Sequence, residues 1–187
     1  MMLENPGSKS KLSKFETEGV TFRMHKTTLN KLRNNARQKQ ISLNTLASQI
    51  FDQYLDYNVY AAKAGLISFP RKLLINLLDK FTEEEITQIA QQRAGEEVKD
   101  IVLLLTGSYN IVSFLTMIEA WIKSSGFPYK HKINDSRHLY VIQHDLSRKW
   151  SLYLAKLFKF VMKKLVVREP QFQITSNSLV FEVDIEK

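Results

Sequence analysis

The sequence predicts an α+β protein, and three patterns support that prediction. A short alternating strand pattern and two helical patterns occupy the first third of the chain. A stretch with helical patterns alone comes next, and the last part repeats one order twice, a helix followed by a β-hairpin. We therefore expect a flexible arm (1–18), a strand–helix–helix module (19–58), a helical connector (59–100) and an α+β domain (101–187).

The composition is that of a folded chain without disulfides or a membrane span. Of the 187 residues 44% are hydrophobic, with 6 Gly, 4 Pro and no Cys. The missing cysteines exclude disulfides and thiolate zinc sites. The first residues lack the apolar core of a signal peptide, and no apolar run is long enough to cross a bilayer. We therefore expect a soluble cytoplasmic protein with no membrane partner.

The charge is concentrated in one stretch of the sequence. The chain carries a net charge of +8, yet no acidic residue occurs between Glu18 and Asp52. The basic residues of that window are Arg23, Lys26, Lys31, Arg33, Arg37 and Lys39. A basic stretch without acids is typical of a surface that binds a polyanion, although a solvated helix face has the same composition.

The module at 19–58 begins with a strand pattern and continues with two helices. Apolar Val20, Phe22 and Met24 alternate with polar Thr21, Arg23 and His25. This alternation predicts a half-buried strand. Thr27 or Thr28 is expected to cap a helix over about 28–40, and Ser42 a second helix over about 43–58.

These roughly 40 residues are too few to bury a core alone. The strand would also have two open edges, which are costly to leave exposed. Both problems are solved if two copies pair their strands and interlock their helices. The sequence therefore predicts a homodimer.

The segment 19–57, about a fifth of the chain, resembles the ribbon-helix-helix family, the fold of the Arc and Met repressors and of many archaeal and plasmid regulators. The residues that carry the resemblance are the Val20–Met24 alternation, Leu29, Leu32, the Ile41-Ser42-Leu43 turn, Leu46 and Ile50. Many members have Gly in the turn between the helices, where this chain has Gln40. The turn therefore requires either a glutamine at positive φ or a different construction.

The resemblance implies how the module would bind double-stranded DNA. Two antiparallel strands would enter the major groove and read base edges with Thr21, Arg23 and His25. The start of the second helix, Ser42, Leu43 and Asn44, would bind a phosphate through free N–H groups. Further phosphate contacts are expected from Lys26, Lys31, Arg33 and Lys39, which position the protein rather than specify sequence. Any of these basic side chains is otherwise an ordinary solvated one.

The rest of the chain predicts helices and then a duplicated helix–hairpin sandwich. Phe69-Pro70 and a capping box at Thr82–Glu85 predict two connector helices. The C-terminal elements are expected at 110–124, 129–133, 139–144, 147–166, 172–175 and 179–184, with hairpin turns at Asn134-Asp135 and Ser176-Asn177. They predict a four-stranded antiparallel sheet with helices on one face.

No pattern predicts an enzyme, a metal or a cofactor. There is no nucleophile–base arrangement, Gly-rich phosphate loop or paired-carboxylate pattern. His131 and His138 would lie opposite each other across the first hairpin and could bind Ni²⁺, Cu²⁺ or Zn²⁺, but no third ligand is evident. Such cross-strand pairs are more often structural. His144 continues the alternation of Tyr140 and Ile142, so it too is expected to be a structural histidine.

The leading hypothesis is a dimeric, sequence-specific DNA-binding transcriptional regulator associated with the nucleoid. Its C-terminal domain would dimerise or bind a small-molecule or protein effector. One alternative is an antitoxin-like, partner-binding protein, although such proteins usually end in a disordered tail. The other is an architectural or plasmid-maintenance DNA binder with little sequence preference.

Overall fold

The computed structural model describes residues 17–61, 63–166 and 168–185. The predicted arm at 1–18 lies almost entirely outside the described residues. Helices and one four-stranded antiparallel sheet confirm the α+β class. Residue contacts divide the chain into two compact units, Met1–Leu46 and Ala47–Lys187, and each is described by itself.

Unit 1 contains helix α1, Lys26–Gln38, and the start of helix α2, Leu43–Gln53. Residues 17–25 form no strand within the described chain, so neither the predicted strand nor the ribbon-helix-helix module is confirmed. A ribbon strand needs the backbone groups of a second strand, which a single copy does not supply.

Helix α1 begins earlier than predicted. The carbonyl of His25 accepts the N–H of Leu29 at 3.0 Å, which makes His25 the N-cap residue. The expectation that Thr27 or Thr28 caps this helix is therefore wrong, because both lie in its first turn. The imidazole of His25 makes no capping hydrogen bond.

Unit 2 opens with helices only. Helix α2 continues as a π-helical stretch, Tyr54–Asn58, and a short helix α3, Val59–Ala61. Helices α4 (Arg71–Leu78), α5 (Glu83–Arg93) and α6 (Glu96–Thr106) follow. The capping box is confirmed: the Thr82 hydroxyl accepts the N–H of Glu85 at 3.2 Å, and the Glu85 carboxylate accepts that of Thr82 at 2.7 Å.

The predicted helix–hairpin order then occurs twice. The elements are α7 (Ile111–Ser125), β1 (Tyr129–Asn134), β2 (Arg137–Gln143), α8 (Arg148–Met162), β3 (Gln171–Ile174) and β4 (Ser178–Asp184). The strand order β1-β2-β4-β3 joins the two hairpins through their second strands. Among the described residues no single helix is long and apolar enough to cross a membrane; α6 and α7 meet that criterion only as a pair bent by 83°.

The first hairpin turn lies one residue later than predicted. Asn134 pairs with Arg137, which leaves Asp135-Ser136 as the turn, and Asp135 has a φ of 56°. Aspartate tolerates this left-handed conformation better than most residues. His131 consequently lies opposite Tyr140 rather than His138. The second turn, Ser176-Asn177, is as predicted, with Thr175 donating its N–H to the Ser178 carbonyl at 2.9 Å.

The core of unit 2 lies between one face of the sheet and helices α7 and α8. Tyr140 and Ile142 of β2 and Phe181 of β4 are at most 1% exposed. The Phe158 ring of α8 meets that of Phe181 edge to face, with centroids 5.6 Å apart. Burial of these large side chains is the main stabilising contribution, and the edge-to-face geometry adds to it.

A fully buried imidazole closes one end of this core. His144 follows β2 and is 0% exposed. Its Nδ1 accepts the N–H of Leu146 at 3.1 Å, so the proton must be on Nε2, which donates to the Ser151 hydroxyl at 2.7 Å. Ser151 in turn donates to the Thr175 carbonyl at 2.6 Å. This neutral histidine thus links the end of β2, helix α8 and the second hairpin, which confirms its structural role.

We expect His144 to make the stability of the protein fall in mild acid. Burial lowers the pKa of His144 from 6.5 to about 4, with Arg71 adding to the shift and Asp145 opposing it. The unfolded chain therefore binds the proton first, and stability is lost as the pH falls from about 6.5 towards 4. The loss in the free energy of unfolding from this group is about 3 kcal/mol.

Urea unfolding of the wild type and of His144→Gln across this pH range measures the effect. The glutamine keeps a donor for Ser151 but does not titrate. The stability difference between the two proteins should therefore shrink as the pH falls, and a constant difference would contradict the assignment.

Candidate nucleic-acid interface

The basic side chains predicted to contact DNA are all exposed in unit 1. Arg23 precedes α1, Lys26, Lys31 and Arg33 lie on it, and Lys39 follows it. None of them forms an ion pair with any residue that the structure describes. Their charge is therefore not neutralised locally.

Helix α1 brings some of these residues together and separates others. At 100° per residue, Lys26 and Arg33 share one face, and Arg37 lies on it too. The apolar Leu29 and Ala36 lie roughly 60° to 80° around the helix from Lys26. Lys31 lies about 140° from Lys26 and is not part of it.

Arg37 is the residue that sequence reasoning missed. It belongs to the stretch without acidic residues, but the sequence analysis assigns it no DNA contact. Its spacing of 11 residues from Lys26 and 4 from Arg33 places it on their face once both lie in one helix. The spacing is visible in the sequence, but the helix is predicted there to begin near residue 28, which leaves Lys26 outside it.

A Schellman turn joins α1 to α2. The N–H of Ile41 bonds to the carbonyl of Ala36 and that of Gln40 to the carbonyl of Arg37, both at 3.0 Å. Gln40 has a φ of 55°, the left-handed conformation that this turn requires. Of the two constructions open from the sequence, the glutamine at positive φ is the one adopted.

The N-terminus of α2 leaves backbone donors available. The Ser42 hydroxyl accepts the N–H of Thr45 at 3.0 Å and bonds to its hydroxyl at 2.8 Å. The N–H groups of Leu43 and Asn44 lie in the first turn, where no intrahelical acceptor exists. Ser42 and Asn44 are exposed and Leu43 is half-buried. Free N–H groups and the helix dipole together favour an anion such as phosphate.

The segment before α1 exposes both of its alternating sets of side chains. Thr21, Arg23 and His25 are exposed, as the resemblance implies for base contacts. The apolar Val20 and Met24 are also exposed, at 72% and 45%, although the pattern predicts that they are half-buried. Within a single copy the described residues provide no cover for them.

The predicted histidine pair lies in unit 2. Nε2 of His131 and Nδ1 of His138 are 3.0 Å apart across the first hairpin, although the two residues are not register partners. Nδ1 of His131 contacts the Glu119 carboxylate at 3.0 Å. Burial lowers the pKa of His138, the charge of His131 adds to this, and Glu119 opposes it. No group of three or more potential ligands is arranged to hold a metal in the part of the chain that the structure describes.

Comparison with protein-family models, with curated proteins and with solved structures finds no match to this chain. The resemblance to the ribbon-helix-helix family therefore rests on the residues of segment 19–57 alone.

We expect Gln40→Gly to stabilise the protein. Glycine adopts a φ of 55° without steric cost, which should raise the free energy of unfolding by up to about 1 kcal/mol. Lys39→Gly is the matched control, because Lys39 has a φ of −83° and gains no such relief. Urea unfolding at fixed protein concentration should show opposite signs for the two variants. A loss of stability in both would contradict the strained turn.

Proposed function

We propose that this chain is a dimeric, sequence-specific DNA-binding transcriptional regulator. In this proposal two copies pair residues 19–25 as an antiparallel β-ribbon in the major groove. Thr21, Arg23 and His25 read base edges, and the α2 N-terminus binds phosphate together with the basic face of α1. A cytoplasmic, nucleoid-associated location follows from this activity.

The observation that carries the proposal is the unneutralised basic surface of unit 1. Its exposed cations have no acidic partner among the described residues, and no acidic residue lies between Glu18 and Asp52. A phosphate backbone supplies the missing negative charge and releases its counterions on binding. The N–H groups of Leu43 and Asn44 carry partial positive charge, so they favour the same anion as these cations.

The exposed apolar residues support a dimer. In the proposed strand Val20 and Met24 would share the face opposite Arg23, and both are exposed in the single copy. In a ribbon of two strands this face turns towards the helices of both copies, whereas the polar face turns towards DNA. A monomer would leave these apolar side chains exposed to water, which is unfavourable.

Unit 2 is proposed to dimerise or to bind an effector. Its described residues have a buried core of their own. A folded domain beside a DNA-reading module is a common plan of regulators.

We expect Arg23→Ala and Arg33→Ala to weaken DNA binding in different ways. Selection from a random duplex library identifies the preferred site, and fluorescence anisotropy gives the affinities. Arg23→Ala should cost roughly 1–3 kcal/mol on that site and relax one base position. Arg33→Ala, on the basic face of α1, should weaken all sequences alike and reduce the salt slope by about 1.

The outcomes separate the candidate functions. Unchanged base preference in Arg23→Ala would mean that the strand is not the reader. Binding without enrichment of any sequence would favour the architectural alternative. Absence of binding even at low salt would rule out both and leave a partner-binding protein.

We expect Val20→Asp to dissociate the dimer. The substitution would bury a carboxylate in the proposed interface, at a cost of several kcal/mol. Thr21→Asp is the matched control, because it adds the same charge to the opposite face of the same strand. Sedimentation equilibrium of the full chain should show a monomer for Val20→Asp and a dimer for the wild type and Thr21→Asp. Equal dissociation by both variants would contradict the ribbon.

A further inference from the structure

Unit 2 contains a cavity that the DNA-binding proposal does not use. Its volume is about 520 Å³, within the range of small-molecule sites. The π-helical stretch, the end of α6, helix α7 and the first hairpin each contribute to its wall. All of these residues belong to unit 2, so the cavity does not depend on how unit 1 is arranged.

One part of the wall is apolar. Leu55, Leu105, Val112, Leu115 and Met117 line it. Leu55 and Val112 are 61% and 56% exposed, which is unusual for aliphatic side chains that meet in a concave surface. Such a wall favours the apolar body of a ligand.

Another part of the wall holds a carboxylate in place through a tyrosine and a histidine. Oε1 of Glu119 accepts the Tyr140 hydroxyl at 2.8 Å and contacts Nδ1 of His131 at 3.0 Å. His131 in turn bonds to His138 and stacks on Tyr140, with ring centroids 4.0 Å apart. Burial, and then Glu119 itself, raise the pKa of Tyr140, so this hydroxyl remains a donor.

The arrangement leaves one carboxylate oxygen available. Among the described residues the hydrogen bond to Glu119, from the Tyr140 hydroxyl, and the contact with Nδ1 of His131 are both at Oε1, and no hydrogen bond reaches Oε2. Glu119 is about three-quarters buried, with 26% of its side chain exposed. A pinned and partly desolvated carboxylate attracts a cation more strongly than a mobile surface one.

The carboxylates around the cavity outnumber its ammonium groups. Asp56 supplies a second carboxylate, and among the described lining residues Lys123 carries the one ammonium. Neither Asp56 nor Glu119 forms an ion pair with a described lysine or arginine. Two carboxylates against one ammonium favour a cationic ligand over an anionic one.

We propose that this cavity binds a small organic amine, with its ammonium group on Glu119 Oε2 and Asp56 and its apolar body on Leu105, Leu115 and Met117. A carboxylate or phosphate ligand would meet two like charges. A bare transition metal would meet the imidazoles of His131 and His138 as ligands. Glu119 would not complete the site, because it contacts Nδ1 of His131, whereas the nitrogen of His131 that lies next to His138 is Nε2. The amine satisfies both the charged and the apolar parts of the wall.

Three probes of nearly equal shape test the proposal at pH 7.5: 2-phenylethylamine, 2-phenylethanol and phenylacetate. The imidazole resonances of His131 and His138 report binding by NMR on the full chain. A probe of this size is expected to bind at roughly millimolar concentration. The amine should shift both histidines at lower concentration than the alcohol, and phenylacetate should bind weakest.

Three variants locate the amine. Glu119→Gln keeps the acceptor for Tyr140 but removes the charge, and should weaken amine binding by roughly five- to tenfold. Asp56→Asn, at an exposed position, tests the second carboxylate without disturbing the core. Glu97→Gln is the matched control, because Glu97 pairs with Arg93 outside the cavity.

The outcomes are decisive in both directions. Preference for the amine that is lost in Glu119→Gln and Asp56→Asn and kept in Glu97→Gln supports the site. Tighter binding of phenylacetate, equal amine binding by all variants, or no histidine shift up to roughly 20 mM probe would overturn it. Because no DNA is present, failure here leaves the proposed regulator untouched, and loss of DNA binding leaves this site untouched.

Discussion

Seven consecutive residue pairs, from Arg137↔Asp184 to Gln143↔Ser178, join β2 to β4, and the architecture of unit 2 depends on this pairing. The two hairpins are far apart in sequence, and each alone is an unstable two-stranded ribbon. Their union aligns Tyr140 with Phe181 and Ile142 with Leu179 on one face. That face is what α7 and α8 cover.

The local signals that predicted this unit were those with a physical mechanism. The Thr82–Glu85 capping box and the helix–hairpin order could be read because caps, helical periodicity and alternation are encoded in neighbouring residues. Helix α6 was not predicted; Gly95, which precedes it, is the N-cap residue at its start. A glycine there is compatible with a break or with a cap, and only tertiary packing decides.

The register of the first hairpin shows where local reasoning stops. Pairing His131 with His138 or with Tyr140 leaves the same side chains on the same face, because the two registers differ by two residues. Burial patterns therefore do not distinguish them, and only the turn at Asp135 does. The candidate base-contact residues Thr21, Arg23 and His25 are exposed, but the strand that would carry them needs a partner copy. The carboxylate of Glu119 was not singled out, because its neighbours His131 and Tyr140 come from strands β1 and β2, which follow helix α7 in the chain.

The π-helical stretch at Tyr54–Asn58 has a consequence for how the cavity can change. A π-turn is a one-residue insertion in an α-helix, and it turns the side chains on either side of it through about 100° relative to one another. Asp56 lines the cavity from this stretch, and Tyr60 lines it from α3 directly after the stretch. Gain or loss of one residue here would replace that part of the wall while leaving Glu119 and the histidines in place. Such a chain could diverge in what its cavity accepts through a single change in length, without any substitution in the sheet.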